Sequence, residues 1–260
     1  MKTLVLLTLV QLISLFSQAY ILPLEIILQK NAVLAGNSII SVDQDVTFKD
    51  AYKTVTVKEN WLIEGDRNLK LTAKGAGELR DLIYLTTVYN NKNKTTLISN
   101  AKQSKPVGED FFEKYLAIKS KDSFVSYLKE LGISQNVRLS RAAGAVCFAV
   151  GEPALGATPN SNPEVWFDQD SFRLAKIRFP SNAEVEFSDW AVYNKVHYPK
   201  KKTVTWGDKS VVISITKVST KTGVGIKSFY PENLDQNSEM SLARLGPLGS
   251  TIEDFYKRFR

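Results

Sequence analysis

The stretch from Glu164 to Trp190, EVWFDQDSFRLAKIRFPSNAEVEFSDW, contains several short strands in succession. Within it, Val185 and Phe187 alternate with Glu184 and Glu186. An alternation with a period of two predicts a strand that has one apolar face and one polar face. An antiparallel sheet with water on one side is built from such strands.

The same alternation continues on both sides of this stretch. Val211, Ile213 and Ile215 share one parity downstream, and Val57 and Trp61 share one parity far upstream. Leu82–Val88 and Thr95–Ile98 form a predicted hairpin around a polar turn. In the second half of the chain, strands are predicted at about 135–150, 164–168, 172–179, 183–190, 195–206 and 210–219.

Apolar residues recur at helical spacing in a few other places. Helices are predicted over Leu22–Gly36, over 109–132 with a break at Lys119–Asp122, and in a short final segment, Thr251–Arg260. A sheet of about ten or eleven strands with a single apolar face has to curl, and the helices are its natural cover. The predicted fold class is therefore mostly β (α+β), with a curved antiparallel sheet covered by a few helices.

The first nineteen residues have the pattern of a secretory signal. Lys2 is followed by an apolar run, and Ser17 and Ala19 are the small residues of a cleavage site before Tyr20. Cleavage would leave residues 20–260 with 33 basic and 27 acidic side chains once Lys2 is removed, a net charge of +6. Cys147, the single cysteine, lies in an apolar run and is expected to be a buried structural thiol.

Catalytic chemistry is not indicated. The 260 residues include one histidine and one cysteine, so multi-histidine and cysteine-rich metal centres are excluded. We find no zinc-protease, nucleophile-elbow or phosphate-loop motif. The sequence predicts a protein that is not an enzyme, that needs no cofactor or metal and that binds no nucleic acid.

One dense basic cluster stands out in this mildly basic chain: Lys195, Lys200, Lys201 and Lys202. Such a patch could dock on an acidic protein or an anionic membrane surface. It could equally be a charged strand end that discourages pairing with another sheet edge. The sequence leaves both interpretations open.

The order of the strands resembles a known family. Glu164–Phe179, Ala183–Trp190 and Val196–Lys200, with a weaker match at Val57–Ile63 and Asn68–Leu71, resemble the strand series of the LolA/LolB-like outer-membrane lipoprotein-sorting superfamily. The resemblance implies a strongly curved sheet forming an unclosed barrel, with its concave face covered by helices. It implies one such domain over 20–260, although the irregular C-terminal extension at about 221–260 has no counterpart in the family. The Arg-Pro pair that follows the early tryptophan strand in the lipoprotein carriers is absent, although Arg67 stands near its place.

The resemblance also implies a function. The chain would be a soluble periplasmic carrier, expected as a monomer, that binds acyl chains of a lipid or lipoprotein; the alternative is a non-carrier interaction or sensor module on the same scaffold. Its partners would be those acyl chains, with envelope proteins or an anionic membrane surface as further candidates. Residues of the apolar parity either line the cavity or form ordinary core, and the candidates are Trp61, Ile63, Leu71, Leu82, Tyr84, Ile177, Phe179, Val185, Phe187, Val211 and Ile213.

Overall fold

A computed structural model describes residues 21–108, 110–153 and 162–260. The predicted signal segment, 1–19, and most of the loop predicted at 151–163 lie outside these residues. Fourteen strands among the described residues join into one antiparallel sheet. They are β1 (Ile39–Lys49), β2 (Thr54–Ile63), β3 (Asn68–Gly75), β4 (Ile83–Asn90), β5 (Asn93–Ile98), β6 (Ala101–Pro106), β7 (Val137–Ala142), β8 (Ala145–Gly151), β9 (Glu164–Asp168), β10 (Leu174–Arg178), β11 (Glu184–Tyr193), β12 (Val196–Trp206), β13 (Lys209–Lys221) and β14 (Glu239–Met240).

The sheet consists of two meanders that meet at one seam. Strands β1 to β6 run outward in one direction, strands β13 to β7 run outward in the other, and β1 pairs with β13 at the junction. β6 and β7 are the two ends of this path, so the sheet does not close into a barrel. The predicted fold class, a mostly β protein with an unclosed antiparallel barrel, is confirmed.

The strand predictions differ from the structure at the two ends of the sheet. The segment predicted as one strand at 135–150 is a hairpin, β7 and β8, with Ala143 and Gly144 both at positive φ in its turn. β6 was not predicted, because its sequence AKQSKP has no apolar alternation, and all six of its residues are exposed.

Three helices are described: α1 (Leu24–Leu34), α2 (Lys121–Glu130) and α3 (Pro247–Phe259). The predicted helical segment 109–132 contains α2 in its second half, while its first half forms a 3-10 turn at Glu113–Ala117. α2 begins after Ser120, whose hydroxyl accepts a hydrogen bond from the Ser123 amide at 3.1 Å. α3 begins four residues earlier than predicted, because proline is well suited to a first helical turn.

The helices cover the concave face in two groups. The 3-10 turn and α2 lie over β9 and β10, where the rings of Phe124 and Phe167 are 5.4 Å apart. α3 lies over β1 and β12, where Phe255 is 5.3 Å from Phe48 and Phe259 is 5.1 Å from Trp206. Aromatic pairs at these separations add to the stabilisation from apolar burial.

The convex face also carries apolar contacts. Phe229 and Leu234, in the C-terminal extension, pack with Val88 and Leu97 on the outer side of the sheet. Cys147 is buried in another outer cluster that includes Trp166, so its placement agrees with a structural thiol. None of the described helices combines the length and apolar content that crossing a bilayer requires.

Candidate functional site

The residues proposed to line a cavity are, with one exception, buried on the inner side of the sheet. They belong to one continuous core: Trp61, Ile63, Leu71, Leu82, Ile177, Phe179, Val185, Phe187, Val211 and Ile213. Side chains from the helical segments lie against them. The Phe112 ring is 6.3 Å from Phe187, and the Tyr115 ring is 6.2 Å from Phe179. In this structure these residues are therefore covered core.

Tyr84 is the exception. Its hydroxyl donates a hydrogen bond to Gln236 in the C-terminal extension and lies 3.3 Å from the Thr86 hydroxyl. Its neighbours Ile83 and Leu85 belong to the inner core instead. Leu85 pairs with the buried Ala73 of β3 and Tyr84 pairs with the exposed Lys74, so Tyr84 lies on the outer side and its assignment to the cavity is wrong.

The predicted basic cluster is likewise divided between the surface and the inner face of the sheet. Lys195, Lys200 and Lys201 are exposed. Lys202 is 0% exposed, because alternation along β12 places it on the inner face with Val204 and Trp206. The prediction of a surface patch is therefore wrong for Lys202.

Lys202 belongs to a buried polar network that the sequence analysis missed. Its ammonium lies 2.7 and 2.9 Å from the two carboxylate oxygens of Glu113 and donates to Gln44 Oε1 at 3.0 Å. The Tyr198 hydroxyl donates to Glu113 at 3.2 Å. Buried charges in proteins are found paired in this way, because an unpaired one is costly.

Glu59 and Arg260 form the other half of the network. Arg260 Nε is 3.0 Å from Glu59 Oε1, and Nη2 is 3.1 Å from Oε2, so the two planar groups pair edge to edge. Glu59 Oε2 also accepts from Gln44 at 2.6 Å and from the Trp61 indole at 3.1 Å. Gln44 thereby links the two ion pairs.

Several segments of the fold place these side chains together. Glu59 comes from β2, Gln44 from β1, Lys202 from β12, Glu113 from the 3-10 turn, and Arg260 from the residue after α3. Glu59 has the same parity as Val57 and Trp61, which are both inward-facing. That parity was the available signal in the sequence, since a charged residue at an apolar position predicts a buried partner.

The network perturbs the titration of its members. Burial raises the pKa of Glu59, but the charge and hydrogen bonds of Arg260 outweigh this effect and leave that pKa below its ordinary value. Burial lowers the pKa of Lys202, and the neighbouring Glu113 opposes the change. Burial also raises the pKa of Tyr198, so its hydroxyl remains protonated and can donate.

A groove of about 470 Å³ opens beside the core. Its walls come from α2, from the 3-10 turn and from the chain around β5 and β6, and they include Lys114, Tyr127 and Glu130. Tyr115 and Leu131 belong both to this groove and to the core. The groove thus adjoins the interface between the helices and the sheet. Among the described residues, no cluster of His, Cys, Asp and Glu side chains could hold a metal.

Comparison with known proteins identifies the fold. No protein-family model and no curated protein matches this sequence. A LolA superfamily protein from Nitrosomonas europaea matches with a TM-score of 0.57 at 9% identity, covering 80% of this chain and 98% of that one. An outer membrane lipoprotein-sorting protein domain from Vibrio parahaemolyticus gives 0.56 at 15% identity, covering 82% and 98%. A DUF1329 family protein from Desulfovibrio piger gives 0.54 at 10% identity, covering 82% and 99%.

At these identities the likeness concerns the fold and leaves the ligand open. The matches span nearly the whole of each solved structure and about four-fifths of this chain. The chain shares its fold with these solved structures, one of which is a LolA superfamily protein.

Proposed function

We propose that this protein is an exported carrier that binds acyl chains of a lipid or lipoprotein between its sheet and its helices. The observation that carries the proposal is the apolar side of α3, which covers part of the concave face. Five of its large side chains are buried there: Leu248, Ile252, Phe255, Tyr256 and Phe259. If α3 moves aside, an acyl chain can take the place of these side chains on the sheet.

The energetics favour such an exchange. Each buried methylene contributes about 0.8 kcal/mol, so a chain of about 16 carbons needs roughly 13 kcal/mol of apolar contact on leaving a membrane. The surface beneath α3 supplies contact of that kind, including Phe48 and Trp206. The acyl chain replaces the apolar side of α3, so the apolar face of the sheet is shielded from water with and without the ligand.

Native mass spectrometry tests the carrier function directly. The protein, purified from cells with intact membranes, is expected to carry bound lipid or to take up N-phenyl-1-naphthylamine, a neutral apolar fluorophore. A protein that carries no lipid and gives no fluorescence increase at any probe concentration would contradict the proposal.

A pair of variants locates the binding surface. Phe255→Ala weakens the hold of α3 on β1 and is expected to increase fluorophore uptake. Phe167→Ala is the matched control, because Phe167 is equally buried and packs on Phe124 of α2 instead. Equal uptake by both variants would indicate general loosening of the core and would count against α3 as the cover.

The periplasm is the proposed location. Cleavage after Ala19 would produce a mature chain starting at Tyr20, which intact-mass measurement of the exported protein can check. Detection of an uncleaved chain in the cytoplasm alone would refute this part of the proposal.

A second function is favoured by the way the interior is filled. Ten of the eleven candidate lining residues are buried against other side chains, as a non-carrier interaction or sensor module on this scaffold would require. Its functional surface would then be external, with Lys195, Lys200 and Lys201 as the proposed docking patch for an envelope protein or an anionic membrane. Failure of every lipid and fluorophore test, together with partner binding through these lysines, would favour this alternative.

A further inference from the structure

The four charged side chains of the buried network balance one another only while Arg260 is in place. Glu59 and Glu113 supply two negative charges, and Lys202 and Arg260 supply two positive charges. All four side chains are fully buried. A displacement of α3 would remove the Arg260 guanidinium and leave the other three side chains with a net charge of −1, beneath any new occupant.

The position that Arg260 occupies is built as a cation site. Its guanidinium pairs with both oxygens of Glu59 and lies 3.5 Å from Glu113 Oε1. The guanidinium carbon is 5.3 Å from the centre of the Trp61 ring and 4.8 Å from that of Phe112. Carboxylates beside aromatic faces are the surroundings that protein sites use to recognise organic cations.

Most of this site belongs to the sheet and to the 3-10 segment, so it would remain after α3 had left. Glu59 and Trp61 are on β2, and Phe112 and Glu113 are adjacent in the chain. The Tyr89 hydroxyl is buried nearby and has no hydrogen-bond partner among the described residues. The Tyr89 ring is 5.5 Å from that of Trp61, and burial raises the pKa of the Tyr89 hydroxyl. A ligand could therefore use an additional donor that the closed structure leaves unused.

We propose that Glu59, Glu113 and the rings of Trp61 and Phe112 form a cation-binding site, and that the apolar ligand replacing α3 is a cationic amphiphile with one guanidinium or ammonium group. This inference rests on the proposed carrier function. Arg260, which joins a charged group to the apolar side of α3, resembles such an amphiphile. A ligand with one positive charge would restore the charge balance with Glu59, Glu113 and Lys202.

An anionic amphiphile is disfavoured at the same position. Lys202 is the cation of this network that would remain, and its ammonium is already held by Glu113, Gln44 and the Tyr198 hydroxyl. A ligand carboxylate placed beside Glu59 would add a second unpaired negative charge in a buried environment. Burying like charges together carries a large free-energy cost.

Three probes with the same chain length separate ligand charge from ligand apolarity. Dodecylguanidinium, dodecanoate and neutral dodecanol are compared by displacement of N-phenyl-1-naphthylamine below their micellar concentrations. Dodecylguanidinium is expected to bind at least about tenfold more tightly than dodecanoate, and Glu59→Gln is expected to abolish the difference. Dodecanoate binding as tightly as dodecylguanidinium would overturn the cationic preference while leaving the carrier function standing. If none of the three binds, the carrier function fails and the ligand assignment fails with it.

A rescue experiment tests the cation site without lipid. Arg260→Met keeps the side chain apolar but leaves Glu59 unpaired, and millimolar ethylguanidinium is expected to raise the Tm of this variant. The Glu59→Gln/Arg260→Met double variant, which lacks both charges, is the matched control and should not respond. An equal change in Tm for both variants would refute a cation site at this position.

Discussion

Arg260 and Glu59 are separated by 201 residues in sequence, yet they form a two-point ion pair in the interior of the protein. Neither side chain is exposed to solvent. The pair fastens the end of α3 to β2, so the polar centre of the fold is also the place where its helical cover is held.

The first prediction concerns the free energy of unfolding. Glu59→Gln and Arg260→Met, made singly, are each expected to lower it by about 3–5 kcal/mol, because each leaves one buried charge without its partner. The double variant is expected to lose less than the sum of the two, which urea unfolding of all four proteins would measure. The exposed pair Lys92–Glu130 serves as the control, where Lys92→Met should cost less than about 1 kcal/mol. Additive effects of Glu59→Gln and Arg260→Met would contradict the pairing.

The second prediction is a pH dependence with a defined sign. The pKa of Glu59 in the folded protein lies below its ordinary value of 4.5, so the unfolded chain takes up the proton first as the pH falls. The stabilisation from this group is therefore complete above about pH 4.5 and is lost as the pH falls through the folded pKa. Unfolding free energies measured from pH 7 downward should fall more steeply for the wild type than for the Glu59→Gln/Arg260→Met variant. Parallel pH profiles would contradict the prediction.

The sheet could be predicted from the sequence because its signal is local. Alternation along β11 and β13 places Val185 and Val211 on one face without any knowledge of their neighbours. The same rule, applied to every residue, would also have assigned Glu59 and Lys202 to the inner face. Alternation read from the apolar residues alone does not reveal them.

The sequence alone does not predict which residues pair with these charges. Glu113 and Arg260 lie in segments without regular strand alternation, and they reach Lys202 and Glu59 only after the sheet has curved and the helices have docked. The prediction that Tyr84 lines the cavity is wrong for a related reason. A 3-10 turn at Gly77–Leu79 precedes β4, and the inward parity of β4 is established only by its pairing with β3.

The third prediction tests the close approach of α3 to the chain before it. A side-chain carbon added at Gly249 would clash with the carbonyl oxygen of Leu242. Alanine usually stabilises a helix relative to glycine by up to about 1 kcal/mol. Here Gly249→Ala is expected to destabilise the protein instead, by about 1–3 kcal/mol, because backbone atoms have to move. Ser250→Ala, at the neighbouring exposed residue, should have little effect. A higher Tm for Gly249→Ala would show that α3 is not held this closely.

The fourth prediction concerns the hydrogen bonds that join Asp254 of α3 to Trp206 and Lys209 of the sheet. The Asp254 carboxylate accepts hydrogen bonds from the Trp206 indole at 2.7 Å and from Lys209 at 3.0 Å. Burial raises the pKa of Asp254, but these donors outweigh it and leave the pKa below its ordinary value. Asp254→Asn should therefore speed hydrogen exchange of the α3 amides and increase fluorophore uptake. Glu253→Gln removes a charge from the exposed residue beside it and is the control. If the hydrogen-exchange rates of the α3 amides are unchanged in Asp254→Asn, the apolar contacts and Arg260 hold α3 without the hydrogen bonds of Asp254.

The fifth prediction concerns the exposed lysines at the start of β12. If Lys200 and Lys201 dock on an anionic surface, Lys200→Glu/Lys201→Glu should abolish binding to vesicles that contain phosphatidylglycerol, because like charges then face each other. Lys202 is left intact in this variant, since its removal would take the nearest cation away from Glu113 in the interior. Lys102→Glu/Lys105→Glu on β6 changes the net charge equally at another exposed site and is the matched control. If both variants lose binding to the same extent, net charge alone explains the attraction, and the lysines are better understood as protection against pairing with another sheet edge. Loss in the first variant alone would identify the start of β12 as the docking surface.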